Sequence, residues 1–234
     1  MDPAVTASAA WQWPPGVEIP GVVGWPVVLR AGALVLRPLR RRDEAAWEDV
    51  RTRNAAWLKP WEATPPPEAG PWRQTVAQMR AQQWRQGKAG TGLTWMMAWD
   101  DGWPAASGPV ERTALIGAVT VAGITYGSAR LASLGYWIAQ DYAGRGLTPL
   151  GVALAIDYCL GVLRLHRIQI DIRPDNLKSL RVAAKLGLRA EGLKPRYLHI
   201  NGAWADHLAF AHDAEAATVP RTVHVLAGRG VPTG

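Results

Sequence analysis

The sequence predicts an α/β sandwich: one mixed β-sheet of about seven strands flanked by about four helices, folded as a single domain. Three observations carry that prediction. The apolar period switches along the chain between helical spacing and strand alternation. The resulting order is strand, two helices, three strands, helix, strand, helix, two strands, which is not the regular alternation of a barrel. Of the 234 residues, 48% are apolar, enough for one core of ordinary size.

The elements follow in order. Leu34–Arg37 reads as a strand. Asp43 can cap a helix running to about Arg53, with Trp47 and Val50 facing inward. Asn54–Pro71 is a loop holding three consecutive prolines. Trp72, Val76 and Met79 fall at helical spacing and mark the core stripe of a second helix ending near Gly87. Thr91–Trp99, Ala114–Ala122 and Leu131–Ala139 read as strands joined by turns rich in Gly, Asp and Ser, with Trp103–Arg112 as a long polar connection. Val152, Ile156, Cys159 and Leu163 form one apolar helical stripe, so Cys159 belongs to the core. Arg167–Ile172 alternates as a strand. Asn176–Leu186 is a helix that Gly187 can end. Leu188–Ile200 and Ala203–Ala211 are strands joined by Asn201-Gly202, a strong hairpin signal. Residues 1–26 are rich in Pro, Gly and Ala and read as a flexible N-terminal arm. Residues 214–234 read as a C-terminal tail, leaving 27–213 as the domain.

Composition narrows the functional classes. The formal charge is +7, and 21 of the 26 basic residues are Arg. That balance attracts polyanions such as nucleotides and RNA, although a coding bias toward Arg, Ala, Gly and Pro would leave the same signature. A single cysteine excludes an intrachain disulfide and a cysteine-cluster metal site, and no metal is expected. The start, MDPAVTASAAWQWPPG, lacks the layout of a secretory signal, and no uncharged run has the pattern of a membrane span. A cytoplasmic protein is the expectation.

The stretch YAGRGLTP, Tyr142–Pro149, sits between a strand and a helix. Thr148 can serve as N-cap and Pro149 as first helical residue, so the helix would start just after Gly146-Leu147. A helix start leaves N–H groups free and carries partial positive charge. Gly144 and Gly146 allow close backbone approach, and Arg145 adds charge. The stretch therefore describes either a plain turn or an anion cradle. It lacks the glycine spacing of a Walker loop and the third glycine of a dinucleotide fingerprint.

The surrounding text resembles the GCN5-related N-acetyltransferase (GNAT) superfamily, and within it the Rim-type ribosomal-protein alanine N-acetyltransferases. The resemblance rests on LGYWIAQDYAGRGLTPLGVALAIDYCL, LHRIQIDIRPDNLKSLRVAAKLGLRAEG and RYLHINGAWADHLAFA. LVLRPLRRRDEAAW and, more loosely, NAAWLKPWEATPP extend it over most of residues 33–211. It implies a GNAT-like mixed central sheet. It also implies acetyl-CoA as cosubstrate, with the diphosphate held by the backbone of Ala143, Gly144, Arg145, Gly146, Leu147 and Thr148. Asp141 stands where the family's loop has Gln or Arg, which removes a donor. The strand ending in Trp137, Ile138 and Ala139 would pair with the pantetheine arm, splayed from the next strand. Asn176 and Ser179 match the branch's Asn-x-x-Ser; Asn176 would contact the arm and Ser179 the sulfur.

Acetyl transfer needs a neutral amine, a stabilised carbonyl oxygen and a leaving thiolate. A backbone N–H on Leu134–Ala139 can serve the oxygen, and Ser179 the thiolate. Where relatives carry a Glu, this chain has Ser133, and where the Rim branch has an acid before Tyr-Leu, it has Arg196. Glu62, Glu191 and Asp206 remain as candidate bases, Glu62 foremost as it follows a Trp-containing loop. An α-amine has a reference pKa near 8 against about 10.4 for lysine, so a weak base suffices for an N-terminus.

The reading is thus an acetyl-CoA-dependent N-acetyltransferase acting on the N-terminal α-amine of a protein such as a ribosomal protein, in association with the ribosome, as a monomer or homodimer. The alternatives are a small-molecule amine acetyltransferase, for an antibiotic or polyamine, and a non-catalytic acyl-CoA or RNA-binding module. Other residues read blandly. His166 complements a helix end, Asp206 and His207 form a surface pair, and Arg40–Arg42 is a solvated turn. Trp57 and Trp61 are loop anchors, or the lining of an acceptor cleft.

Overall fold

A computed structural model describes residues 17–21, 23–70, 74–102, 113–216, 220, 221 and 225. In chain order the elements are β1 (Val17–Glu18), β2 (Leu29–Ala31), β3 (Leu34–Arg37), α1 (Glu44–Arg53), α2 (Ala55–Leu58), α3 (Val76–Ala89), β4 (Gly92–Trp99), β5 (Ala114–Thr125) and β6 (Leu131–Ile138). They continue with α4 (Leu147–Asp157, running on as a π-helical turn Tyr158–Val162), β7 (Arg167–Ile172), α5 (Leu177–Lys185), β8 (Arg189–Ile200) and β9 (Ala203–Asp213). One nine-stranded sheet runs in the order β1-β2-β3-β4-β5-β6-β7-β9-β8. Neighbouring strands are antiparallel except β6 and β7. The sheet has two strands more than expected. β1 and β2 have no legible alternation, because two- and three-residue strands hold too few positions for a period. The sheet thus begins inside the stretch read as an arm.

Two layers of apolar side chains cover the sheet. On one face, α4 is buried along almost its whole length, which its uninterrupted apolar sequence requires. On the other, α1 and α3 pack Val50, Val76 and Met79 over Val35, Met96 and Ala118. Trp72 and the connection Trp103–Arg112 lie outside the described residues. One tryptophan anchors the core. Trp95 is fully buried and stands edge-on to Trp25 and to Tyr158, each 5.8 Å between ring centroids, while its Nε1–H donates to Val27 C=O at 3.0 Å.

Helix boundaries are set by local chemistry. Asp43 joins α1 to the sheet through a buried pair with Arg37, at 2.6 and 3.0 Å. Thr75 and Gln78 cap α3 reciprocally, and the helix ends at Gly90 with φ 68°. Gly87, expected near the end of this helix, lies inside it. A Cβ there would sit 2.5 Å from Cγ of Trp25, so this glycine makes room for the indole. The start of α4 also differs from expectation. Gly146 is the N-cap, with φ 74°, and Thr148 is already helical. Gly187, at φ 60°, follows α5 as expected.

Candidate active site

The parallel pair at the centre of the sheet places the site. β6 and β7 pair only at Leu131–Arg167, Ala132–Ile168 and Ser133–Gln169, then part. Beyond Ser133, the edge of β6 is open. Ala139 N–H donates to Ile116 C=O at 2.7 Å, toward β5. Because strand polar groups alternate sides, those of Trp137 and Gly135 also face β5, and those of Leu134, Tyr136 and Ile138 face the gap. The gap narrows into a cavity of about 440 Å³.

One wall of the cavity is the turn into α4. Ala143, Gly144, Gly146, Thr148 and Pro149 line it. Gly144 has φ 80°, and nothing lies within 4 Å of where its Cβ would be. The helix start leaves the N–H groups of Leu147 and Thr148 without intrahelical acceptors. The turn therefore has the form of an anion cradle: bare backbone, partial positive charge and open space before it. Arg145 and Leu147 do not line the cavity. Arg145 lies over the Tyr142 ring, 4.9 Å from its centroid, and Leu147 is buried in the core.

The facing wall is α5. Asn176 caps it, its Oδ1 accepting from Ser179 N–H at 3.1 Å. Ser179 lines the cavity with Lys178, Arg181 and Lys185, spaced along one helical face. Lys178 stands in the first turn, where the helix dipole disfavours a cation. The Trp57 ring compensates, its centroid 3.7 Å from Lys178 Nζ. Tyr136 forms the floor. Its hydroxyl donates to Ser179 C=O at 3.4 Å, and burial pushes its pKa up to about 12. Nothing in the sequence around Tyr136 signals that this strand residue meets α5.

The mouth is closed on the α2 side. Trp57 Nε1–H donates to Ile138 C=O at 3.0 Å. Arg173 donates to Pro60 C=O at 3.1 Å and lies over Trp61. Thr64 N–H donates to His199 C=O at 3.0 Å, and Asn201 N–H to Glu62 C=O at 2.9 Å, tying this segment to the β8–β9 hairpin. Trp57 and Trp61 both line the cavity and anchor the loop, so the two readings of them coexist.

Of the residues expected here, Trp137, Ile138, Ala143, Gly144, Gly146, Thr148, Asn176 and Ser179 come together; Ala139, Arg145, Leu147 and Glu62 do not line the cavity. Glu62 pairs with Arg51, whose guanidinium covers Trp137. Glu191 is held between Arg167 and Arg189, which keep its carboxyl down at about 2. Asp206 Oδ1 accepts from Arg196 N–H at 2.7 Å. Asp206 and His207 do not form a surface pair. Adjacent strand residues point to opposite faces, and His207 is buried against Tyr197. His166 meets Glu215 at 3.0 Å. Cys159 is buried, and burial raises its pKa well above the usual thiol range. Among the described residues no cluster suited to a metal occurs, and no helix is long and apolar enough to cross a membrane.

A family model described as an acetyltransferase (GNAT) domain matches residues 33–189. The chain belongs to this family, and is an N-acetyltransferase. It is similar to the solved structure of Mycobacterium smegmatis RimJ in complex with CoA-disulfide, at TM-score 0.73 and 29% identity, covering 92% of this chain and 93% of that one. It is 29% identical over 188 residues to the [Ribosomal protein uS5]-alanine N-acetyltransferase of Escherichia coli (strain K12), covering 79% of this chain and 90% of that protein. It is 38% identical over 97 residues to the probable N-acetyltransferase YjcK of Bacillus subtilis (strain 168), 42% of this chain; the match spans about half of that relative, 54%. The expected mixed-sheet fold is that of the family.

Proposed function

We propose that this N-acetyltransferase takes its acetyl group from acetyl-CoA and delivers it to the N-terminal α-amine of a protein, in the class of ribosomal proteins. The observation that carries the reading is the gap between β6 and β7, which runs from an anion cradle to an open strand edge. The residues suit the donor. Backbone N–H groups from Gly144 to Thr148 would hold the diphosphate, the Ala143 N–H being donated to Gln140 C=O, with Lys178, Arg181 and Lys185 adding positive field from the facing wall. The pantetheine amides would find strand-like partners in Leu134, Tyr136 and Ile138. The bound thioester supplies an activated acetyl group. Asn176 would hold the arm, and the Ser179 hydroxyl would donate to the departing sulfur.

The acceptor half follows from charge and proton affinity. The chain's overall charge of +7 disfavours a polyamine, whereas a single α-amine is about a tenth neutral at pH 7 and asks little of a base. The similarity to a ribosomal-protein alanine N-acetyltransferase supports a peptide acceptor, and with it association with the ribosome. The test is mass spectrometry of an alanine-initiated peptide containing one internal lysine, incubated with acetyl-CoA. A single acetyl group on the α-amine is expected, and none with Gly144→Glu. Acetylation of the lysine alone, or of spermidine in preference to the peptide, overturns the reading.

A further inference from the structure

The carboxylates that the sequence offers for the acceptor amine are all engaged: Glu62 by Arg51, Glu191 by two arginines, and Asp206 by the Arg196 N–H. A fourth carboxylate has the better position. Asp171 lies on β7 two residues beyond Gln169, where the pairing with β6 ends. It shares a face of the sheet with Gln169, opposite to the face of Ile170 and Ile172 that packs toward α4 and α5. It is thus the first side chain on the face away from the donor cavity after the two strands part. Across the gap, in line with it, β6 carries Gly135. Nothing lies within 4 Å of where a Cβ on Gly135 would be, so there is open space beside the gap on this face.

The carboxylate of Asp171 is already holding an ammonium. Its side chain is 7% exposed, and its Oδ1 lies 2.8 Å from Lys194 Nζ. The contact is off the hydrogen-bond direction, so this buried oxygen receives no well-directed donor. Lys194 Nζ also stands 4.4 Å from the centroid of the Tyr197 ring. A buried carboxylate and an aromatic face are the two groups that hold a primary ammonium in a partly desolvated site.

We propose that Asp171 is the anchor for the acceptor's ammonium, and that Lys194 fills the position until the acceptor displaces it. The proposal rests on the amine-acceptor reading above. It gives the acceptor a chemical class, an unhindered primary ammonium, and it makes Lys194 a competitor and not a partner in binding.

The test is isothermal titration of the CoA-saturated full chain with an alanine-initiated pentapeptide, the same peptide N-acetylated, and n-butylamine. Wild type is expected to bind the free-amine peptide at least about tenfold tighter than the blocked one, the worth of one hydrogen bond to a charged group. Asp171→Asn should bring the two within about twofold, while Lys194→Met keeps or widens the preference. Melting curves accompany both variants. A preference retained in Asp171→Asn, or lost equally in Lys194→Met, makes the pair merely structural and overturns the proposal, as does wild type showing no preference for any free amine. An Asp171-dependent response to n-butylamine without one to the peptide sinks the protein-acceptor reading and leaves Asp171 standing. If CoA itself gives no heat, the donor reading fails, and the same ratios on CoA-free protein decide the anchor.

Discussion

Trp57 and Ile138 are joined across the mouth of the cavity: the indole Nε1–H donates to the carbonyl at 3.0 Å. That carbonyl belongs to the open edge of β6. The bond therefore ties the α2 segment to the strand and occupies an acceptor that a ligand amide would use. Trp57→Phe keeps a ring under Lys178 and deletes the N–H. It should cost about 1 kcal/mol of stability, lowering Tm by about 2–4 °C in calorimetry. Acetyl-CoA affinity should not fall, because the carbonyl is released. A weaker Kd in titration would mean that Trp57 remains bonded when ligand is present.

The glycine turn gives a sharper expectation. Ligand at about 100 times its Kd stabilises a protein by about 2.7 kcal/mol, several degrees here. Gly144→Glu sets both a side chain at positive φ and a carboxylate in the cradle. The thermal shift given by acetyl-CoA should vanish in this variant while the unliganded Tm changes by a few degrees at most. An undiminished shift would show the diphosphate lying elsewhere.

Tyr136 and Ser179 share a hydrogen bond but should differ in role. Burial raises the tyrosine, favouring its neutral form. That contribution to stability is whole below the ordinary pKa near 10 and is lost as pH climbs toward about 12. No tyrosinate should appear in a spectrophotometric titration of this residue below pH 10. Ser179→Ala should lower kcat about 10²-fold, in the range of a lost proton donor, while Tyr136→Phe leaves kcat within about tenfold. Equal losses in steady-state kinetics would shift the donor role to the tyrosine.

Acid should unfold the chain in two stages. Burial and the nearby Arg221 hold His212 down at about 4, so its neutral form is favoured in the fold. The stability this gives is present above the unfolded value near 6.5 and is lost as pH falls from there to about 4. Glu191, held at about 2 by Arg167 and Arg189, loses its share between about 4.5 and 2. Glu191→Gln should flatten the lower limb of a Tm-versus-pH curve and leave the upper limb alone; an unchanged lower limb would mean that the pairing contributes nothing.

Gly87→Ala should destabilise despite the better helix propensity of alanine. Propensity favours it by about 1 kcal/mol, but overpacking against the Trp25 ring costs about 1–3 kcal/mol. Chemical denaturation should give a lower midpoint with an unchanged slope. A higher midpoint would show that Trp25 can move aside.

Sequence by itself determined most of the architecture and made part of the candidate site legible. Periodicity located the longer elements, because a stripe on a helix or an alternation on a strand is a local consequence of burying one face. The YAGRGLTP turn was legible for the same reason. Positive φ at Gly144 and Gly146 and the free N–H groups of a helix start are properties of neighbours in the chain. Tertiary structure alone decided the rest. It set the Trp25 ring against Gly87, where a side chain would not fit. It pointed the polar groups of Ala139 away from the gap and those of Ile138 into it. It also brought Tyr136 beneath Ser179, and left Asp171, not Glu62, at the parting of two strands. Each of these depends on which face or edge meets a partner distant in the chain, and a residue's own neighbours carry no record of that.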